Sequence, residues 1–398
     1  MQAALQQFYM SDIVKKERFH FLDGLRGIAS LMIVFHHSCT AGIASFIDHF
    51  KIPLAGDFFR QFTQSGVDLF FVLSGVVLLR PYLRGRRKFD TVDYFYRRIK
   101  RIYPPYFFAF IFGALVVWFM TAYPTWYNIK GMHQAFSWEE TLHEAFIFSF
   151  SGTYYNLAWW SLQIEIFFYM LVPVIIYIFP KPEKLTTTRI ITLSVITYLT
   201  GYAFQHISTH ICWQLYSYTY DVANFGRFME YPLCFLMGIF LASKDFNLSF
   251  AYRAISIGLI MVVAGLALMN YTHVIYSHTF ISLLHAGYGI FYAGIITLSF
   301  NLASFKNFLR KPLMIWFGER SYSIFLIHFS VFYLTDNIVS RFTTDRSALY
   351  GILTRAIGIP LALFLAMLLF HFVERRQAKG LVTEKAFWPW QANKLVIE

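Results

Sequence analysis

The run Ala254-Ile255-Ser256-Ile257-Gly258-Leu259-Ile260-Met261-Val262-Val263-Ala264-Gly265-Leu266-Ala267-Leu268-Met269 decides the fold. It carries no ionisable side chain and sits inside an apolar segment over 252–271. As a helix rising 1.5 Å per residue, that segment is about 30 Å long, the thickness of a bilayer's hydrocarbon core. Comparable segments lie at 25–42, 66–80, 103–122, 159–179, 190–206, 228–243, 280–301, 314–335 and 356–374. The expectation is an all-α, polytopic integral membrane bundle of about ten transmembrane helices.

Composition agrees. Of 398 residues, 57% are hydrophobic and 14% charged, against about 45–50% and about 25% in soluble domains. A water-soluble enzyme and a large extramembranous domain are both excluded. The net charge of +12 would suggest nucleic acid in a soluble protein, but in a membrane protein it records topology. With the N-terminus inside, the segments 1–24, 80–102, 180–189, 243–253, 302–313 and 375–398 hold 25 Lys and Arg, and the opposite loops hold seven. Cytoplasmic loops accumulate Lys and Arg, so both termini are expected in the cytoplasm, with no nucleic-acid partner. The organisation expected is a cytoplasmic N-terminal segment over 1–24, a membrane domain over 25–376 and a cytoplasmic tail over 377–398. The first apolar stretch has no small-residue cleavage site and reads as a retained span. Cys39, Cys212 and Cys234 have neither disulfide nor zinc-type spacing, and no metal is expected.

Ionisable groups inside a span are costly and are read as functional with a named partner. Arg26 and His37 lie eleven residues apart, which is three turns plus about 20°, so they share a helix face that His36 does not. As buried hydrogen-bonding groups with a snorkelling Arg26 they would be equally satisfied. Asp68 opens the second segment near the expected depth of His37, where it could orient an imidazole or complement a helix N-terminus. Ser161, Glu165 and Tyr169 line one face of the segment over 159–179, and Glu165 needs a partner across the bundle or a proton. Arg320, Ser321, Tyr322 and His328 open another segment. His371, Glu374 and Arg375 close the last, where surface pairing of Glu374 is the simplest account. Counted from segment ends, His37, Asp68 and Glu165 fall within about two turns of the outer surface, with Arg26 and Arg320 near inner ends. Arg80, Arg84, Arg86, Arg87, Lys88, Arg97, Arg98, Lys100 and Arg101 crowd one inner loop, where they could bind anionic lipid or clamp phosphates. The stretch over 138–148 mixes acids with apolar residues at helical spacing, as an interfacial helix or a lid would.

The words Leu22-Asp23-Gly24-Leu25-Arg26-Gly27-Ile28-Ala29 with His37, Gly66-Val67-Asp68-Leu69-Phe70-Phe71-Val72-Leu73-Ser74-Gly75, Arg97-Arg98 with Arg101-Ile102-Tyr103-Pro104, Trp160-Ser161-Leu162 with Glu165, and Ser321-Tyr322-Ser323 with His328 occur in one order. Together they resemble the membrane-bound acyltransferase family three over about residues 18–376. The resemblance implies an acyl-CoA-dependent O-acyltransferase in a bacterial inner membrane. It would move an acyl group, most often acetyl, from cytoplasmic acyl-CoA to a hydroxyl of an extracytoplasmic glycan or glycolipid. Arg26 and His37 fill the family's Arg-x10-His signature. The sequence departs from the family where an acidic pair often follows Trp-Ser-Leu, leaving Glu165 alone, and where Glu374-Arg375-Arg376 replaces a closing Glu-Arg-Pro. No fused esterase-like domain is expected. On this reading His37 is the general base, Asp68 or Glu165 holds its tautomer, and Arg26, Arg97, Arg98, Arg101, Arg320, Ser321 and Tyr322 bind the coenzyme. The rival is a proton-coupled transporter with an intramembrane His/Glu relay.

Overall fold

The computed structural model describes residues 19–52, 54–85, 88–122, 138–146, 155–179, 186–216, 231–272, 278–342 and 348–375, and within them the regular elements are all helices. Helix α1 (His20–Phe35) runs through a π-helical turn (His36–Thr40) into α2 (Ala41–His49); α3 (Ala55–Gln64) and α4 (Gly66–Leu83) follow. Next come α5 (Thr91–Ala122), α6 (Trp138–Ala145), α7 (Trp160–Ile178), α8 (Thr187–Tyr216), α9 (Pro232–Ser243), α10 (Leu248–Thr272), α11 (His278–Asn301) and α12 (Ala303–Leu309). Then α13 (Pro312–Phe342) is joined to α14 (Ala348–Leu369), which ends in a second π turn, Phe370–Glu374.

Seven of these stretches are long and apolar enough to span a bilayer, eight when the pair His20–Thr40 and Gly42–His49, bent by 63°, is taken as one. The sequence suggested about ten. Of the two expected segments that do not pass, 190–206 lies within α8, and 228–243 holds the 12-residue α9, with 228–230 outside the described residues. At 1.5 Å per residue α9 is about 18 Å long, too short for a 30 Å core. Nearly every residue of α9 is buried, so its apolar character serves the protein interior rather than lipid. Elsewhere the large apolar side chains left exposed, among them Leu115, Trp118, Ile260 and Ile357, suit a hydrocarbon surround. The expected cytoplasmic ends, 1–18 and 376–398, lie outside the described residues.

Apolar side chains gain little by leaving lipid for one another, so helices in a membrane associate through close backbone approach at small residues. The seam between α1 and α13 shows this. A Cβ on Gly318 would fall on the carbonyl oxygen of Asp23, and one on Gly27 would lie 2.7 Å from that of Met314. The two helices run parallel, since Asp23 meets Gly318 while Val34 packs with Ile324 further along. Gly318→Ala should therefore lower stability by at least about 1–3 kcal/mol. Gly351→Ala, whose Cβ would meet nothing within 4 Å, should be neutral or slightly stabilising in a helix interior. Thermal unfolding of the two purified variants checks the pair; equal midpoints would refute the steric seam.

Two entries into the bundle are deeper than length-counting suggests. Asn156 Nδ2 (3.0 Å) and Trp159 Nε1 (3.2 Å) both donate to the Leu326 carbonyl, so α7 begins opposite the middle of α13, about 24 Å along the axis from Phe342. The expected position of Glu165, within two turns of the outer surface, is corrected accordingly. Similarly, Tyr103 and Tyr106 donate to the carbonyls of Ala145 (3.2 Å) and Glu144 (2.5 Å), which docks α6 well down α5, about 24 Å from Ala122. The stretch expected as an interfacial helix or lid is thus tied to α5 at its C-terminal end, while Trp138, Leu142 and Phe146 stay exposed, as on an interfacial helix.

Candidate functional site

The π turn presents two successive imidazoles to different neighbours. His36 Nδ1 lies 3.0 Å from Thr63 Oγ1 on α3, whose hydroxyl donates to the carbonyls of Arg60 and Phe59 and so accepts from the ring. His37 faces α13, with its Nδ1 2.9 Å from Nε2 of His328, the rings stacked at 5.1 Å and 22°. Phe329 closes one edge of His37 at 5.2 Å. Wide π turns are found at functional sites because they reorient side chains within an otherwise regular helix.

Acceptor chemistry assigns the tautomers. His328 Nδ1 lies 2.9 Å from the Phe325 carbonyl and 3.1 Å from that of Ile324. A carbonyl oxygen can only accept, so Nδ1 carries the hydrogen and Nε2 of the neutral ring holds a lone pair. The bond to His37 then requires its Nδ1 to donate, which leaves His37 Nε2 as a lone pair with no hydrogen-bond partner among the described residues. Half-buried and unpartnered, that nitrogen has the form of a general base.

The expected carboxylate partners of His37 are engaged elsewhere. A Cβ on Gly66 would lie 2.7 Å from the Ala29 carbonyl, so Asp68, just inside α4, sits about 12 Å along α1 from His37. Asp68 Oδ1 instead accepts from His285 Nδ1 on α11 at 2.8 Å and from the Cys234 thiol on α9 at 3.3 Å, with the Tyr231 ring 4.0 Å from that of His285. The proposed Asp68–His37 pairing is corrected: Asp68 ties α4, α9 and α11 together. Glu165 accepts from the Tyr169 hydroxyl and, at 3.4 Å, from Ser74 Oγ of α4, and it lies within electrostatic reach of Arg26. It belongs to a layer below the imidazoles.

That layer gathers much of the expected coenzyme set. Arg26 is within reach of Arg101, Glu165 and Tyr169, and Glu374 is within reach of Arg26, Arg101 and Arg320. Glu374 is buried and accepts from Ser323 Oγ at 2.7 Å, so the surface pairing expected for it is corrected. Arg98 lies over the rings of Tyr94 and Tyr169, its Nε buried without a partner. Among the described residues Arg26, Arg98 and Arg101 make no hydrogen bond; all three are half-buried, and the fully buried Arg98 Nε is the costly donor unless an anion joins it. Arg97 is paired with Asp93 and donates to Tyr82 Oη at 3.3 Å. Arg320 is clasped between Trp316 and Phe370, with its guanidinium carbon 4.5 and 4.6 Å from the ring centres. Buried Ser321 stands beside it, and Tyr322 donates to the Ile102 carbonyl at 3.0 Å. Two more loop cations are structural: Arg84 Nε donates to the Ala242 carbonyl (3.1 Å) and Arg80 to that of Leu241 (3.4 Å), capping α9, while both hold Asp245. Burial would raise the Asp245 carboxyl, but these two guanidiniums hold it below its ordinary range. Arg86 and Arg87 lie outside the described residues.

The sequence reading named His328 among the polar residues of its segment and in the family resemblance without a catalytic part, and passed over His285 entirely. For His285, a histidine within an apolar span was the only local signal.

A family model described as an acyltransferase domain matches residues 19–371. The chain is 32% identical over 152 residues, 38% of its length, to a protein of Acidianus two-tailed virus that carries a provisional acetyltransferase name. It is 37% identical over 100 residues, 23% of its length, to protein 2 in the picA locus of Rhizobium radiobacter. The matches cover 39% and 42% of those relatives, so the chain spans about two-fifths of each. No solved structure matches it.

Proposed function

The chain belongs to the acyltransferase domain family, and from that premise we propose that it transfers an acyl group, most often acetyl, from cytoplasmic acyl-CoA to a hydroxyl of an extracytoplasmic glycan or glycolipid. The observation that carries this reading is the Nε2 of His37, unpartnered among the described residues and held as a base by a ring whose own tautomer is held by backbone carbonyls. Both termini are cytoplasmic on this reading, following the charge bias, and the membrane is the inner membrane of a bacterium.

His37 Nε2 takes the proton of the acceptor hydroxyl as its oxygen attacks the thioester carbonyl. The tetrahedral intermediate then collapses, the C–S bond breaks, and the imidazolium returns the proton to the leaving thiolate. Arg26, Arg98 and Arg101 fit the coenzyme because they are cations without hydrogen-bonded partners among the described residues, and a guanidinium is suited to phosphate oxygens. Glu165 and Glu374 keep that layer from being uniformly positive, which orders the guanidiniums without neutralising them at contact distance.

Purified protein in a lipid nanodisc, given acetyl-CoA and a mixed glycan acceptor pool, should release free coenzyme A thiol with acyl transfer to carbohydrate. An untouched thioester together with proton-coupled solute flux would favour the transporter instead. Because the phosphates are bound alike in ground and transition states, Arg98→Gln with Arg101→Gln should raise the KM for acetyl-CoA about 10–100-fold with little change in kcat. Arg97→Gln, which loses a cation already paired with Asp93, should matter far less. Equal effects in the two proteins would remove these residues from the donor site.

A further inference from the structure

On the reading of His37 as the base, we propose that Arg355 is its positioning residue, holding the π turn against α13 at the spacing the imidazole pair requires. A helix that breaks and bends by 63° frees carbonyls that a bilayer interior cannot solvate. The side chains around the turn answer that need: the Ser38 and Thr40 hydroxyls both reach back to the Phe35 carbonyl at 3.4 Å. Ser38, next to His37, turns its own carbonyl to α14, where Arg355 Nε donates to it at 2.5 Å.

The same guanidinium has a second hold. Its Nη1 donates to Asp336 Oδ1 at 3.0 Å and to Thr354 Oγ1 at 2.6 Å. Asp336 lies two turns along α13 from His328, and the Tyr350 hydroxyl ties its carbonyl to α14 at 3.0 Å. One rigid fork therefore links the chain next to His37 with α13 two turns from His328. Lysine cannot reproduce this, since a single ammonium on a flexible stem does not offer two donors in fixed directions. Arg355 touches no reacting atom. Its effect passes through the distance and angle between His37 Nδ1 and His328 Nε2, and a displacement of about 1 Å in such a pair costs about 100-fold in rate.

Arg355→Ala should lower kcat about 100-fold and leave the KM for acetyl-CoA within about twofold, since the donor cations lie in another layer. Free guanidinium should restore part of the lost kcat, and Arg355→Lys should fall between the two proteins. In histidine labelled with nitrogen-15, wild-type His37 should show a protonated Nδ1 and an unprotonated Nε2, and the lysine variant should show a mixture. If the alanine variant does not fold, the lysine variant carries the test by turnover and by the same spectrum. A kcat within about twofold of wild type in the folded variant, or an unaltered His37 spectrum, overturns the positioning role. Activity retained by His37→Ala would instead overturn the base reading, so the two failures are distinguishable.

Discussion

His37→Ala is expected to abolish acyl transfer, lowering kcat by about 10²–10⁴ with the bundle intact. That is the range a positioned general base contributes, and nothing else near the turn replaces it. His36 is not expected to substitute, because its ring faces α3 rather than α13 and stands at 73° to that of His37. His36→Ala should accordingly keep a substantial fraction of turnover, losing only what the weaker tie between α1 and α3 costs. Initial rates of thiol release, with unfolding midpoints to show that both variants fold, decide between the two rings. Equal losses in two folded variants would sink the assignment.

The membrane fold was legible because bilayer thickness turns length and polarity into a nearly one-dimensional code, and segments such as 252–271 and 356–374 reappear in α10 and in α14 with its closing π turn. The span count was less legible. The same apolar composition that marks a span also marks α9, which is buried among protein neighbours, and only the tertiary arrangement separates the two. Depth was misjudged for a related reason. Counting from segment ends assumes that each helix starts at the membrane surface, whereas α7 starts where Asn156 and Trp159 find the Leu326 carbonyl, halfway along α13.

Within the site, spacing along one helix offered a choice between His37 and His36 on the assumption of a regular helix, whereas both rings lie in the π turn that follows α1. Which ring or carboxylate meets His37 is a property of two helices, and their adjacency rests on glycine contacts such as Gly27 with Gly318 that have no periodic signature. Asp68 illustrates the consequence. A carboxylate at the start of a span looked like a partner for the nearest expected imidazole, yet its neighbour His285 comes from a segment where nothing but one buried histidine marks the place. Buried carboxylates are held by whichever donor the packing brings, and the sequence separation here is 217 residues.

His328→Phe is expected to cost nearly as much as loss of the base itself, about 10²–10³ in kcat, although the ring need not touch either substrate. Phenylalanine keeps the stacked contact with His37 but offers no lone pair to its Nδ1–H. The imidazole is then free to place its proton on Nε2, the atom that must be vacant to act as base. The loss should appear in kcat with the KM for acetyl-CoA little changed, because the coenzyme-binding cations are untouched. His328→Gln, whose amide oxygen can accept from Nδ1, should recover part of it. The decisive comparison is the double variant: adding His328→Phe to His37→Ala should lower the residual rate no further, since a residue that acts only by holding the base has nothing left to hold. An additional tenfold loss in that background would mean that His328 meets the substrates directly, and the two rings would then be separate catalytic groups rather than a base and its orienting partner.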